Sequence, residues 1–329
     1  MSIAEADIPQ QAAAAPQLPP GVIVDGPLVR EKLRETYLLL GILYAGSAAA
    51  LVWAFAQGIG RVEIAVFAGM FALTTFGIGA GMHRLLVHRS FRCGPLMRIF
   101  FCTIAQMAVQ GSLLKWVGNH RRHHLYADDV GDPHSPHYDA RGYRYTSLLK
   151  GMLHAHGSWA FDRTVTDNEL YAKDILADPI AMFFARTRWF WYGMSMVFIP
   201  GAIGYGFGGL HAMIGCVLFA GLFRAYVLIL VSSLTGSVCH NYGYRRFDVE
   251  DASTNELVST ILTFGEGLHN NHHRFPRNAY ISHAWYEFDL NGLIILGLGK
   301  LGLVHGIMHV SERHPTKATE EARATPMAT

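Results

Sequence analysis

Three clusters of histidine carry most of the chemistry available to this chain. The sequence has 329 residues, 18 of them histidine, and two of the clusters repeat the pattern H-x-x-H-H. Positions i, i+3 and i+4 share one face of a helix, so the three imidazoles of each repeat can converge. The repeats therefore predict two helical metal-binding faces. Their residues are His120, His123 and His124 in the first repeat and His269, His272 and His273 in the second.

The third cluster has a different spacing. His83 and His88 are five positions apart, and on an ideal α-helix that separation turns two side chains about 140° away from each other. They can face one point only if the helix ends or is distorted there. His240, which follows an apolar stretch, is a ninth candidate ligand. We expect the other histidines to be surface or core residues: His134, His137, His154, His156, His211, His283, His305, His309 and His314.

The number of candidate ligands indicates two metal ions. Imidazole binds Fe, Cu, Zn and Ni, so the ligand type alone does not select the metal. A structural zinc site uses four ligands and a catalytic zinc site uses three. Nine histidines are too many for one zinc ion and suit two ions with open positions. Two irons that bind and split dioxygen are the chemistry that needs such a site.

The elements that must position these residues are apolar. Hydrophobic residues make up 51% of the chain and charged residues 16%, a balance that favours a lipid environment. Because a helix needs about 20 apolar residues to cross roughly 30 Å of hydrocarbon, we predict an all-α membrane protein with four transmembrane helices in two hairpins. The predicted spans are residues 37–57, 63–82, 189–208 and 210–234. A fifth stretch, Met97–Leu114, is expected at the membrane interface.

Charge orients the predicted spans. Arg30, Lys32 and Arg34 precede the first span, and the 83–188 and 240–329 segments hold most of the other basic residues. By the positive-inside rule, both termini and all nine histidines are cytoplasmic, and we expect a multi-pass protein of a bacterial inner membrane. Arg224 lies inside the fourth span, where we favour a structural role over a place on a substrate path.

Composition also sets the limits of the domain and excludes some functions. Residues 27–311 are predicted to form the membrane domain, between disordered tails at residues 1–26 and 312–329. The net charge is only +2, and the sequence contains no run of basic residues that would indicate a nucleic-acid-binding surface. The four cysteines form no C-x-x-C pair, so neither a disulfide framework nor a cysteine zinc site is indicated.

Longer strings surround the histidines. They are Gly77-Ile78-Gly79-Ala80-Gly81-Met82-His83-Arg84, Gln110-Gly111 with Trp116, Gly131-Asp132-Pro133-His134, Ser237-Val238-Cys239-His240, and Gly265-Glu266-Gly267-Leu268-His269-Asn270-Asn271-His272-His273-Arg274-Phe275-Pro276. With them, the chain from about residue 36 to residue 310 resembles the membrane-bound fatty acid desaturases. The likeness is to the acyl-CoA branch of that family, of the stearoyl-CoA, delta-9 type.

The resemblance implies an oxidoreductase with a specific architecture. Four membrane spans carry a cytosolic helical cap, and a bent tunnel brings a fatty acyl chain to a di-iron centre. The nine clustered histidines match the metal ligands of the family. Dioxygen is the co-substrate, a cis double bond is the product, and a separate ferredoxin-like or cytochrome partner supplies electrons. Trp116 matches a tunnel-lining position. Phe67 and Phe71 are candidates for the closed end of the tunnel, although packing against lipid would equally explain them.

Two departures from the family pattern stand out. The family commonly has asparagine four residues before the histidine that matches His240, and here that position is Gly236. Asn241 or another group could supply the contact instead. The segment before the second cluster reads Lys115-Trp116-Val117-Gly118-Asn119, without the charges that hold coenzyme A in the animal enzymes. The acyl carrier could therefore be coenzyme A, acyl carrier protein or an intact lipid.

Three alternative functions remain at this stage. A fatty acid or alkane hydroxylase would use a similar metal site and return oxygen to the substrate. A membrane metal-binding or transport protein would need ionisable residues within its spans, whereas these clusters lie at the ends of the spans. A soluble carboxylate-bridged di-iron protein would need paired E-x-x-H motifs, and only Glu266 and His269 have that form.

Overall fold

The computed structural model describes residues 16–310 and consists mainly of helices. Most of each predicted tail lies outside those residues. In chain order the α-helices are α1 Pro27–Gln57, α2 Arg61–Phe76, α3 Pro95–Gln106, α4 Leu113–Tyr126, α5 Leu148–His156, α6 Asn168–Tyr171, α7 Lys173–Leu176, α8 Pro179–Arg186, α9 Arg188–Gly193, α10 Ile199–Gly215, α11 Arg224–Ser237, α12 Leu257–Leu262, α13 His269–Arg274 and α14 Leu290–Lys300. Three π-helices, Gly77–Val87, Met194–Phe198 and Cys216–Phe223, and one 3-10 helix, Ser158–Phe161, lie between them.

In the described part of the chain, four short strands form two small antiparallel sheets. The strands are β1 Val22–Val24, β2 Arg92–Cys93, β3 Thr164–Thr166 and β4 Val304–His305. In the pairing of β1 with β3, Val22 lies opposite Thr166 and Val24 opposite Thr164. Residues 22–24 were expected to belong to a disordered tail. Their apolar β-branched side chains instead favour a strand, and the pairing attaches the start of α1 to the segment after α5.

Between residues 16 and 310, three helical runs are long and apolar enough to cross a membrane. They are Pro27–Gln57, Arg61–Val87 and Arg188–Ser237, with 31, 27 and 50 residues respectively. The first two correspond to the first two predicted spans, and the 50-residue run includes the last two. Most of the predicted interfacial stretch forms α3, which ends at Gln106. The next helix, α4, begins at Leu113, so the stretch is not one continuous helix.

The 50-residue run reverses direction at two glycines. Gly208 and Gly209 have non-helical backbone angles, and the φ of Gly209 is 65°, in the left-handed region that glycine tolerates best. Beyond this point the chain packs back on itself, since a Cβ atom built on Gly204 would lie 2.5 Å from the carbonyl oxygen of Ala212. The run is therefore a helical hairpin, and its turn lies where the sequence predicted one.

Arg224, the charged residue in this hairpin, is fully buried. Its guanidinium donates hydrogen bonds to Ser195 Oγ at 2.8 Å and to Thr74 Oγ1 at 3.1 Å. A third bond from its Nε reaches the carbonyl oxygen of Ala220 at 3.2 Å. The bond to Thr74 joins the hairpin to α2 and the other two lie within the hairpin, which confirms the structural role predicted for Arg224.

The main core lies where the end of the second apolar run meets α3. Met82, Leu86 and Phe101 are among its most buried side chains. The approach of the two helices is close at Gly77, where a Cβ atom would lie 2.5 Å from the carbonyl oxygen of Ile104. This contact fixes the position of the π-helix that carries the first histidine cluster.

We predict that Gly77→Ala lowers stability, whereas Gly69→Ala, eight positions earlier in the same helical run, does not. A methyl group at Gly77 would collide with backbone, and overpacking of this kind costs about 1–3 kcal/mol. Gly69 has open space around its Cβ position, and alanine there improves helix propensity. Thermal unfolding of the two purified variants in detergent checks the difference. Equal unfolding temperatures would show that the close approach is not a constraint.

Candidate metal centre

The first histidine cluster lies on a π-helix. Residues Gly77–Val87 form this helix, and the backbone N–H of His88 bonds the carbonyl oxygen of His83 at 3.1 Å. Because π-helical hydrogen bonds join residue i to residue i+5, each turn takes up more residues than in an α-helix. His83 and His88 therefore come round to the same side, with ring centroids 4.8 Å apart. This is the helix distortion that their spacing requires.

The two H-x-x-H-H helices do not each hold their three imidazoles around one point. On α4, His120 and His124 join His83 and His88, whereas His123 points to a second group. On α13 the division is reversed, because His272 joins the first group and His269 and His273 join the second. Each helix thus contributes histidines to both groups. The two separate metal-binding faces that the sequence predicted are replaced by two clusters that both helices share.

Each cluster brings its Nε2 atoms close together. Cluster A consists of His83, His88, His120, His124 and His272, and cluster B consists of His123, His240, His269 and His273. In cluster A, Nε2 of His272 is 2.9 Å from Nε2 of both His83 and His124. In cluster B, Nε2 of His269 is 3.0 Å from that of His240 and 3.1 Å from that of His273.

Carboxylates bind the opposite ring nitrogens of four of these histidines. Nδ1 of His240 lies 2.7 Å from Asp128, Nδ1 of His273 lies 2.8 Å from Asp251 and Nδ1 of His123 lies 2.9 Å from Asp132. Nδ1 of His83 contacts Glu266, which also accepts a bond from the buried Arg84 at 2.9 Å. A carboxylate on Nδ1 fixes the tautomer and leaves Nε2 as the free nitrogen. All four Nε2 atoms then point into the clusters.

The residues fit a bound metal ion in each cluster. Two nitrogens that bind one ion at about 2.1 Å and at right angles lie roughly 3 Å apart, as the Nε2 atoms do. Within the described part of the chain, neither ring nitrogen of the buried His88 has a hydrogen-bond partner. A buried polar atom without a partner is uncommon and needs an explanation, which a metal ion provides.

The ionisation of the clusters also suits metal binding. Burial, and then the neighbouring imidazoles, hold the pKa values of His88, His120 and His272 well below the ordinary range. These rings are neutral at physiological pH, as metal ligands must be. Burial alone would raise the pKa of Glu266, but Arg84 and His83 lower it to about 2.

A cavity of about 530 Å³ reaches the clusters. His83, His120 and Trp116 line it, together with Leu39, Tyr226 and other residues of α1 and α11. Its size is within the range of small-molecule sites. The ring of Trp116 stacks on that of His120, with centroids 4.9 Å apart and planes 10° apart. Trp116 thus forms the wall next to cluster A.

The other two predicted substrate contacts lie elsewhere. Phe67 stacks on Phe71, with centroids 6.0 Å apart, and also packs against Phe219 and Phe223. Phe67 and Phe71 are absent from the residues that line the cavity described above. Their place at the end of a substrate tunnel stays a prediction.

Charged residues in the cavity wall are already paired. Lys115 bonds Glu35 at 2.8 Å, and Arg188 forms an ion pair with the same carboxylate. Lys32 donates to the carbonyl oxygens of Trp159, Asp162 and Thr164.

Comparison with known proteins agrees with this geometry. Residues 61–294 match the family described as fatty acid desaturase. The chain belongs to the fatty acid desaturase family. It is 36% identical over 262 residues to hex-5-enoyl-[acyl-carrier protein] acetylenase of Moorena producens, covering 78% of this chain and 80% of that protein. An acyl-CoA 5-desaturase of Anemone leveillei is 33% identical to this chain over 246 residues, which cover 74% of this chain and 70% of the relative.

A third relative acts on a different carrier. The sn-1 stearoyl-lipid 9-desaturase of Anabaena variabilis is 31% identical over 275 residues, which cover 82% of this chain and 90% of the relative. The three printed names thus include acyl carrier protein, coenzyme A and lipid as carriers. Members of this family are oxidoreductases that act on acyl chains, and this desaturase-family chain is an enzyme of that kind.

Sequence reasoning did not assign the four carboxylates to the site of this desaturase. Asp132 and Glu266 belong to the strings that resemble the family, so their proximity to histidine was a usable signal. Asp128 and Asp251 lie in loops, and only the folded chain brings them to His240 and His273. Spacing along the chain gives no indication of either contact.

We predict that Asp251→Ala weakens metal binding, whereas Asp248→Ala on the same loop does not. The loss of the bond to His273 leaves that ring free to turn, and loss of such a contact typically costs about 10–100-fold in metal affinity. Asp248 is exposed. Competition with a chelator measures the affinity of both variants, and equal affinities would remove the orienting role of Asp251.

The metal-free desaturase should lose stability as pH falls from about 6.5 towards about 4. The unfolded chain takes up protons near pH 6.5, whereas the folded chain resists them, since burial lowers the pKa of His273 to about 4 despite the opposing effect of Asp251. Because the unfolded state binds more protons than the folded state in this range, the free energy of unfolding decreases as the pH is lowered. His240 opposes this trend, because Asp128 outweighs burial and raises its pKa.

Thermal unfolding of the chelator-treated protein across that pH range tests the sign. His88, His120, His124, His269 and His272 share the lowered pKa. The decline therefore outweighs the opposing contributions of His240 and of His154, whose pKa Asp162 raises against the effect of burial. A melting temperature that stays constant or rises on acidification would mean that these five rings are not buried as neutral imidazoles.

Proposed function

We propose that this protein is a membrane-bound desaturase that uses dioxygen to introduce a cis double bond into a saturated fatty acyl chain. The observation that carries the proposal is that one largely apolar cavity is lined by histidines of both clusters. Membership of the fatty acid desaturase family gives independent support.

We assign an iron ion to each cluster, with His83, His88, His120, His124 and His272 on one and His123, His240, His269 and His273 on the other. When bound, the pair of irons would supply the dioxygen chemistry that removes two hydrogens from neighbouring methylenes. Imidazole is a suitable ligand for iron. Asp128, Asp132, Asp251 and Glu266 hold the rings in place, so that the coordinating nitrogens are oriented before an ion arrives.

The protein itself positions the acyl chain and excludes water. Leu39 and Tyr226 offer an apolar wall for methylene groups, and Trp116 limits where the chain can lie beside His120. Holding a methylene at a fixed place supplies most of what a protein adds to a reaction of this type. Because the cavity accommodates the acyl chain, we propose that the chain is recognised more stringently than its carrier.

The membrane arrangement is part of the same proposal. The reversal at Gly208 and Gly209 supports four spans, with two from the 50-residue run. We place the remaining helices in a cytosolic cap and both termini in the cytoplasm, following the distribution of arginine and lysine. The domain would lie in a bacterial inner membrane and begin at β1, earlier than the predicted residue 27, with a separate ferredoxin-like or cytochrome protein as electron donor.

Product analysis in a host of known lipid composition tests the activity. Expression of the wild-type chain should add double bonds to the fatty acids of the host. His123→Ala and His272→Ala should each lower product by more than the roughly 10–100-fold that loss of an outer contact to a metal ligand costs, while the protein still inserts. His305→Ala, at an exposed position on β4, is the matched control and should retain activity. Hydroxy fatty acids without new double bonds would instead indicate a hydroxylase. An unchanged lipid composition would favour a metal-binding or transport protein.

A further inference from the structure

Helix α13 carries three of the nine clustered histidines, yet it has only six residues. His272 belongs to cluster A, whereas His269 and His273 belong to cluster B. Neighbouring positions on a helix point about 100° apart, so a rotation of α13 about its axis would turn His272 and His273 away from their clusters together. A helix this short is not stable on its own. Contacts from other segments must therefore set its rotation.

Two asparagines of α13, both fully buried, receive those contacts. The Oδ1 atom of Asn270 accepts the backbone N–H groups of Arg246 and Phe247, both at 2.8 Å. Asn271 exchanges two bonds with Asn255. Its Oδ1 accepts Nδ2 of Asn255 at 2.8 Å, and its backbone N–H donates to Oδ1 of Asn255 at 3.2 Å. Each asparagine thus ties α13 to a segment outside the helix.

The side-chain nitrogen of Asn271 is held by a buried carboxylate. It donates to Oε2 of Glu287 at 2.9 Å and to the carbonyl oxygen of Ile281 at 3.0 Å. On its other side, Oε1 of Glu287 accepts the hydroxyl of Tyr244 at 2.7 Å and Nε of Arg246 at 2.8 Å. Burial would raise the pKa of Glu287, but the hydrogen bonds that it accepts lower it. Glu287 is therefore a charged acceptor that joins α13 to the 244–246 segment.

We propose that Glu287 is a positioning residue for both metal ions and acts through Asn271 to fix the rotation of α13. Asn271 lies about 200° round the helix from His269, on the side away from the clusters. Asp128, Asp132, Asp251 and Glu266 each orient one imidazole and so serve one cluster. Glu287 instead orients the helix that supplies histidines to both. This inference rests on the two-metal centre of the proposed function.

The rate of iron release from the purified full chain to a chelator tests the inference. Glu287→Ala and Asn271→Ala should each release both irons about ten-fold faster than wild type, the lower end of the effect of losing an outer contact. The double variant should be no faster than either single variant, because the two residues act through one bond. Mössbauer spectra of the reduced, folded variants should show both iron sites altered, a change that a loss of stability alone would not produce.

Four further variants make the test specific. Glu287→Gln should release iron near the wild-type rate, because its amide oxygen still accepts Nδ2 of Asn271. Tyr244→Phe removes only a bond to the other oxygen of Glu287, and it should leave both release rates unchanged. Asp251→Ala loses the contact to His273 alone and should accelerate one iron. Glu287→Leu retains much of the side-chain volume, so it replaces Glu287→Ala if that variant does not fold, with the same expected result.

The possible results separate the two proposals. Wild-type release of both irons in the Glu287→Ala and Glu287→Leu variants would overturn the role of Glu287, as would acceleration of one iron alone. Glu287→Gln that releases iron as fast as Glu287→Ala would also overturn it, as would a double variant in which the two effects multiply. A wild-type protein that holds fewer than two metal ions would overturn the two-metal centre itself, whatever the variants do.

Discussion

Each buried imidazole has two ring nitrogens, and both need a partner. Nine such rings are packed into one region of this protein, and the rest of the structure depends on supplying those partners. At the clusters, Nδ1 is bound from outside by Asp128, Asp132, Asp251 and Glu266, and Nε2 is directed inwards. The outer bonds decide the tautomer. The inner nitrogens are then arranged for ions, because no protein donor can satisfy so many acceptors that face one another.

The helices around the clusters serve this arrangement. Glycine at position 77 lets α3 approach the second apolar run closely, and the π-helix that follows turns His83 and His88 to one side. Helices α4 and α13 each give two histidines to one cluster and one to the other. Neither helix completes a metal site alone, so the centre forms only when both helices have folded together with the π-helix that carries His83.

Much of this could be predicted from the sequence where a local rule applies. The apolar runs, the hairpin turn near Gly208 and the convergence of nine histidines follow from length, breaks and helical spacing. The spacing of His83 and His88 even required a distorted helix. The prediction that each H-x-x-H-H helix forms one metal-binding face was wrong. Side chains at positions i, i+3 and i+4 span an arc of the helix wide enough to face two different ions. The exchange of His123 and His272 between clusters depends on how α4 and α13 face each other across the fold.

Other features depend on contacts between distant segments. The bond of Asp251 to His273 and that of Asp128 to His240 join loops to helices, and no pattern in the chain indicates them. The pairing of Val22–Val24 with Thr164–Thr166 likewise brings an expected tail into a sheet. The sequence motifs around the histidine clusters resemble those of the fatty acid desaturases, and the match over residues 61–294 confirms membership of that family.

Metal analysis of the purified full-length chain tests the central claim most directly. If each histidine cluster holds one iron, elemental analysis should find two irons per chain, and His88→Ala should lower that number by removing a ligand from cluster A alone. One metal ion per chain, or zinc in place of iron in a protein that is active, would contradict the account.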